Sequence, residues 1–386
     1  MDVAIVGAGP AGLLVARRCA ESGLDVHVFE EHSLIGEPTH CTGVISLEVA
    51  ELVKIPDEIV LSRPSRALLH SPSRDTHEIA WTEDGREPIL VVDRAAFDQG
   101  LADGAVEAGA VIHTATRVTD VTPSEDGVDL VAGGSPLRAR ACVIASGVSY
   151  RFQRRLGLGL PGQVVHAAQV ELDARAADGV DLFFGRAVAP GGFAWMVPLT
   201  RDGRTRSKVG AMATGDAGAA LERVLRRPEV ECRVEGEPGH PVRRLMPLKP
   251  ITQTYADRLL VVGDAGGFAK PTTGGGIFYS LLTASLASET LIEAFQRERL
   301  DAGFLAGYER RWKQRLGREL SVAAWLRDVV TKLTDGEIAV VLRALAGEDA
   351  QALIRGIARF NWHAEAILAL ARRKSLAHIL LRALLR

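Results

Sequence analysis

Hydrophobic positions along this chain switch between two periods, and the switches mark its elements. Val3 to Val6 is an unbroken run led by β-forming residues, Leu13 to Ala20 has helical spacing, and Asp25 to Glu30 returns to a strand. Gly, Pro and Thr crowd Gly36 to Ser46, which reads as a loop. Ala67 to Val92 alternates like strands of a largely antiparallel sheet. Leu90-Val91-Val92-Asp93-Arg94 closes that run, and Arg94 opens a helix over Ala95 to Ala108. Ala110 to His113 is a strand, Val118 to Arg140 a hairpin-type excursion, and Cys142 to Ser149 an apolar strand that returns to the first sheet. Strand patterns then recur at Val164–Val170, Val180–Phe184, Gly192–Pro198 and Lys208–Met212, with a hairpin turn at Arg201-Asp202-Gly203. Arg258 to Val262 is a late strand, Ile277 to Gln296 a long helix, and the remainder is helical.

This order predicts an α/β chain with an α+β insertion: a Rossmann-type nucleotide-binding domain, an antiparallel-sheet substrate domain and a helical C-terminal region. The expected boundaries are 1–65, 91–150 and 250–298 for the first, 66–90 and 151–249 for the second, and 299–386 for the third. An apolar content of 47% over 386 residues supports a large core. The net charge of −2 gives no overall attraction to nucleic acid. Cys19, Cys41, Cys142 and Cys232 form no C-x-x-C pair, so neither a zinc site nor a disulfide framework is expected, and a reducing cytoplasm is the natural setting. The N-terminal apolar run lacks the features of a signal peptide, and no run approaches the ~18 residues of a membrane span. The tail from Gln351 changes this picture in one respect. It carries Arg355, Arg359, Arg372, Arg373, Lys374, Arg382 and Arg386 against Glu365, in a Leu-rich helical pattern. It reads either as a helix packed on the body with solvated arginines, or as a basic amphipathic helix in peripheral contact with the inner membrane face.

The candidate chemistry begins at Gly7-Ala8-Gly9-Pro10-Ala11-Gly12, a G-x-G-x-x-G fingerprint between a strand and a helix. Gly7 allows the turn, Gly9 lets the backbone approach a pyrophosphate, and Gly12 lets the helix pack close. Glu30, at the end of the second strand, stands where a carboxylate accepts ribose hydroxyls. A second signal lies far away: a strand enters Gly263-Asp264, and Gly274-Gly275-Gly276 precede the helix from Ile277. Asp264 can bind a ribityl hydroxyl, and the helix N-terminus favours the negative charge of a reduced flavin. The pair points to FAD rather than NAD. Three features each carry two readings. Cys41 is a buried thiol or a thiol over the cofactor, Arg94 binds phosphate or pairs with an acid, and Phe193 with Trp195 forms a substrate wall or ordinary core.

On these residues the chain resembles the geranylgeranyl reductase family of flavoproteins, within the p-hydroxybenzoate hydroxylase-fold superfamily. The likeness covers most of residues 1 to about 325. It rests on the fingerprint with Glu30, on the cysteine-bearing loop Gly36-Glu37-Pro38-Thr39-His40-Cys41-Thr42-Gly43-Val44-Ile45-Ser46, on Pro190-Gly191-Gly192-Phe193-Ala194-Trp195-Met196-Val197-Pro198, and on Gly263-Asp264 with Pro271 to Ile277. Two positions depart from it: Phe193 replaces a common Tyr and Val197 a common Phe. The resemblance implies reduction of isolated C=C bonds in an isoprenoid chain by hydride transfer from reduced flavin. It implies a hydrophobic prenyl-type substrate, and it leaves the electron donor open between NAD(P)H, a ferredoxin acting as partner protein, and a quinol. Cys41, His40, Phe193 and Trp195 are the expected catalytic residues, with Cys41, His40 or a water as proton source. The expected cofactor contacts are Gly7, Gly9, Pro10, Ala11, Gly12, Glu30, Glu31, Cys41, Thr42, Gly43, Arg94, Val118, Ala145, Gly147, Gly263, Asp264, Gly274, Gly275, Gly276 and Ile277.

Two other functions fit the same fold. A flavin monooxygenase or halogenase acting on an aromatic or natural-product substrate would use the Phe193-x-Trp195-x-Val197-Pro198 segment, which is similar to the W-x-W-x-I-P of halogenases without its first Trp. Ala145-Ser146-Gly147 stands where aromatic hydroxylases of this fold carry Asp-Gly, which weighs against the monooxygenase. A non-catalytic electron carrier or membrane scaffold would need no substrate cavity.

Overall fold

The computed structural model describes residues 1–80, 89–357 and 359–385; the part of the alternating run that falls on 81–88 lies outside them. The fingerprint strand Val3–Val6 sits inside a six-stranded sheet. Val26–Phe29 and Val111–His113 follow on one side, Ala141–Ile144, Leu259–Val261 and Tyr255–Ala256 on the other. All neighbours are parallel except the last pair. The inner strands are apolar on both faces because both faces are covered. One face packs on helices Pro10–Glu21, Arg94–Glu107, Ile277–Gln296 and Ala302–Val330. The other is covered by the antiparallel meander Val118–Pro123, Val128–Ala132 and Ser135–Ala139. Gly12 is required here: a Cβ on it would stand 2.1 Å from the Gly7 carbonyl oxygen.

The second sheet has eight strands. Its centre is the long ladder of Val164–Ala174, Arg204–Ala213 and Phe193–Arg201. The last two are joined through Asp202 and Gly203, both at positive φ, as a two-residue hairpin turn demands. Gly179–Phe183 pairs antiparallel with Phe193–Arg201 and parallel with Arg66–His70, which draws an early stretch of chain into this sheet.

Three expectations need correction. Ile89–Val92, the end of the alternating run, joins not the second sheet but a separate small one whose other strands lie earlier in the chain. The segment Gly36 to Ser46 is not loop throughout: Val44–Ser46 is a strand in a small three-stranded sheet with Ile89–Val92 and Val60–Ser62. Its ladder partner is distant in sequence, so the short apolar run carries no local sign of pairing. The basic tail is not one amphipathic helix but several pieces, Glu348–Ile357, Ala364–Ala371 and Lys374–Leu384. The last of these packs Leu376, Ile379, Leu380 and Ala383 inward and exposes Leu381, Arg382, Leu384 and Leu385.

Between two of these pieces, residues 359–363 form a strap against the nucleotide-binding unit. Asn361 donates to Ser46 Oγ (2.5 Å) and Glu48 Oε2 (2.6 Å), and the Trp362 indole donates to Glu48 Oε1 (2.9 Å). The Tyr279 hydroxyl donates to the Asn361 carbonyl (2.9 Å). Glu319, on the long helix, accepts the backbone N–H groups of His363 and Ala364.

Candidate functional site

Both glycine motifs open onto one cavity of about 400 Å³. Gly9, Pro10 and Ala11 line it from the fingerprint, Gly263, Asp264 and Gly274 to Ile277 from the second motif, and Ala145 and Gly147 from the strand end between them. A Cβ on Gly7 would lie 2.5 Å from the Ala145 carbonyl oxygen, whereas a Cβ on Gly9 would meet nothing within 4 Å. Gly7 and Gly12 are therefore glycines because the protein's own backbone leaves no room for a Cβ, whereas Gly9 borders the open cavity. Neither helix that starts here has a side-chain cap: Gly9 precedes Pro10–Glu21 and Gly276 precedes Ile277–Gln296. Their first-turn N–H groups stay available to anionic groups.

Glu30 accepts the Ala8 N–H (2.8 Å) and the His32 N–H (3.0 Å), which holds its carboxylate beside the turn. Arg244 donates to Asp264 Oδ2 (3.0 Å), and Tyr150 donates to the Asp264 carbonyl (3.0 Å). These fixed anions and open N–H groups fit a dinucleotide with a polyol linker. Six of the expected cofactor residues are not part of the cavity lining: Gly7, Gly12, Glu30, Glu31, Gly43 and Val118. The Glu31 side chain is exposed and paired with Arg117 (3.2 Å), and the Val118 side chain is buried beneath the meander.

The cysteine loop enters the same cavity through His40, Cys41 and Thr42. Cys41 is partly buried among fixed cations. The Arg94 guanidinium clamps Asp98 (2.9 Å to each oxygen), as its acid-pairing reading expects, and lines the cavity near Cys41. The Lys208 ammonium donates to the carbonyls of Cys41 (3.2 Å) and Thr42 (3.1 Å). Thr42 Oγ1 donates to Gln169 (2.9 Å) across in the second sheet. His40 Nδ1 is buried without a partner among the described residues. Burial, with Arg244 and His32 adding to it, holds the His40 imidazole below its ordinary range, so the ring is neutral at pH 7.

Phe193 and Trp195 both face the cavity, as their spacing on one strand requires, with ring centroids 5.8 Å apart. The indole lies on Gly210 of the neighbouring strand, where a Cβ would fall 2.3 Å from Cζ2. Beyond Trp195 the lining is apolar: Val44, Ala67, Val180, Leu182 and Val197. Sequence reasoning missed Gln169, Arg244, Lys270 and Phe360, which also line the cavity. Lys270 adjoins the second motif, which was its one local signal. The others lie in stretches without a motif and reach the site only through tertiary folding.

A paired cradle of this kind, shared between a Rossmann-type sheet and an antiparallel substrate sheet, defines an FAD-dependent oxidoreductase. Known proteins narrow the class. Residues 2–203, just over half of the chain, match the lycopene cyclase protein family. A digeranylgeranylglycerophospholipid reductase of Methanopyrus kandleri is 32% identical, with 92% of this chain and 93% of that protein covered. In fold, a geranylgeranyl bacteriochlorophyll reductase-like protein from Thermoplasma acidophilum matches with a TM-score of 0.85 at 22% identity, covering 99% of this chain and 98% of the other. The halogenase PltM, solved with phloroglucinol and FAD, matches with a TM-score of 0.70 at 14% identity, covering 100% and 96%. The chain belongs to the geranylgeranyl reductase family of FAD-dependent oxidoreductases.

Proposed function

We propose that this protein saturates C=C bonds of a geranylgeranyl-type chain carried on a lipid. The observation that carries this reading is the continuity of the cavity, from the FAD cradle past Trp195 to an apolar end walled by Ala67, Val180, Leu182 and Val197. FAD, when bound and reduced, supplies the electron pair for such a reduction. Pro10, Ala11, Gly147, Asp264 and the Gly274–Ile277 turn would hold it. Trp195, fixed on Gly210, presents an electron-rich ring that favours positive charge developing on an alkene. The apolar wall keeps water from the reacting carbons. The proton for the second alkene carbon comes from the Cys41–His40 side of the cavity, where the carbonyl contacts of Lys208 hold the Cys41 loop in place.

Dithionite-reduced enzyme incubated anaerobically with geranylgeranyl lipids is expected to add hydrogen in pairs, read as stepwise mass gains. Oxygen consumption with an aromatic substrate, and no mass gain with any prenyl lipid, would instead establish the monooxygenase or halogenase chemistry. Anaerobic turnover with NAD(P)H alone, or only with added ferredoxin, identifies the donor. The exposed face of Lys374–Leu384, with Leu381, Leu384 and Leu385 beside Arg382, supports peripheral contact with an anionic bilayer, where such a substrate resides.

A further inference from the structure

The turn that presents Gly274 to Gly276 is closed by a lysine. The Lys270 N–H donates to the Gly275 carbonyl (3.1 Å), and the Gly274 N–H donates to the Lys270 carbonyl (2.8 Å). Its side chain folds back behind the turn, so that a Cβ on Gly275 would stand 3.5 Å from Nζ. Lys270 is 4% exposed, yet it forms no ion pair within 4 Å among the described residues. Its ammonium donates to the Phe360 carbonyl (3.0 Å) and Asn361 Oδ1 (3.3 Å), and lies 3.8 Å from the Phe360 ring centroid. A buried lysine whose hydrogen-bond partners are neutral dipoles and a π face has no direct counter-ion, so holding a charge there is costly.

The surrounding charged groups are already engaged. Glu48 accepts from Asn361 and Trp362, and Glu319 from the backbone of the strap. His363, bonded to Thr272 Oγ1, is pushed down to about 4 by burial and by Lys270. Arg315 lies over the Trp362 ring, and Arg327 donates to the carbonyls of Pro271 and Gly191. Burial brings Lys270 itself down to about 7, against the pull of Glu48 and Glu319. Its charge therefore responds to any new anion at the turn.

We propose that Lys270 is the proton-coupled counter-charge of the flavin, taking up a proton behind the Gly274–Gly276 turn when the bound cofactor is reduced and stabilising the anionic reduced form. In the balanced step, oxidised flavin gains two electrons from dithionite or an electrode and one proton, and is left with one negative charge. Neutral Lys270 gains one further proton from solvent, so the net charge of the site does not change. The inference rests on the proposed contact between this turn and the flavin. It is independent of the prenyl substrate, because the measurement uses the FAD-loaded protein with no alkene present.

The test is spectroelectrochemical titration of the holoenzyme between pH 6 and pH 9. Above pH 7, wild type is expected to take up two protons per electron pair while its absorbance is that of the anionic reduced flavin. Lys270→Met with FAD bound should take up one, and its preference for reduced over oxidised flavin should fall on the order of tenfold, about 30 mV for a two-electron couple. Lys270→Arg should keep the wild-type potential at pH 6 but lose the second proton. One proton per electron pair in wild type overturns the proposal even if the Met variant fails to fold. An unchanged potential in a folded, FAD-loaded Lys270→Met protein overturns it as well.

Discussion

Gly210 shows how one residue sets the substrate wall. It lies on Arg204–Ala213 opposite Trp195, and its missing side chain is the floor on which the indole rests. Gly210→Ala is expected to displace the ring by an ångström or more while leaving both glycine motifs untouched. FAD content should stay at the wild-type ratio, and turnover should fall on the order of a hundredfold. Flavin absorbance and turnover measured on one preparation separate the two effects. Trp195 itself was legible in the sequence, because alternation on a strand places it and Phe193 on one face. Gly210 was not, since a glycine in a strand signals a close approach without naming what approaches. Arg244 and Gln169 were equally hidden. They face the cavity from strands whose register is set across the sheet.

At the scale of elements, the helix Arg94–Glu107 links the site to fold stability. Asp93 caps it, accepting the N–H groups of Ala95 (3.0 Å) and Ala96 (3.2 Å), and its other oxygen meets Arg201 from the substrate sheet. Burial pushes the Asp93 carboxyl upward, but the Ala96 and Ala95 N–H groups and Arg201 outweigh it, and the group titrates below its ordinary value. A carboxylate depressed in the folded state stabilises fully above its unfolded pKa, near 3.8, and that contribution is lost as pH falls through the lower folded value. Asp93→Ala should cost about 1 to 2 kcal/mol at pH 7 by loss of the cap. In urea unfolding, the gap to wild type should narrow as the pH drops below 4. The elements of the nucleotide-binding unit were largely legible, because strand, glycine turn and helix are local patterns. The strand Val44–Ser46 and the strap at 359–363 were not. Each exists through partners far away in sequence.

For the whole molecule, the C-terminal region presents two features. Its strap accepts from Lys270 beside the second glycine motif, and its last described helix and the residue that caps it leave Leu381 at 57% and Leu385 at 81% exposure. No helix among the described residues is long and apolar enough to cross a membrane. Co-sedimentation should therefore depend on lipid charge: binding to vesicles with anionic lipid, little to neutral vesicles, and release at high salt. Replacing Leu381, Leu384 and Leu385 together by Ser should abolish the binding with FAD content unchanged. No binding to either vesicle type would assign this face to protein packing instead.

The interleaving of the two large sheets has a consequence in time. The nucleotide sheet takes strands from Val3 to Val261, and the substrate sheet from Arg66 to Pro247. Neither is complete until Leu259–Val261 and Val242–Pro247 have left the ribosome, on the order of tens of seconds after Val3 at ~5–20 residues per second. Through that interval apolar strands wait for neighbours not yet synthesised. Such a nascent chain is a natural client for holding chaperones, and a proteolytic nick or a split of the gene inside either sheet would separate strands that must meet again.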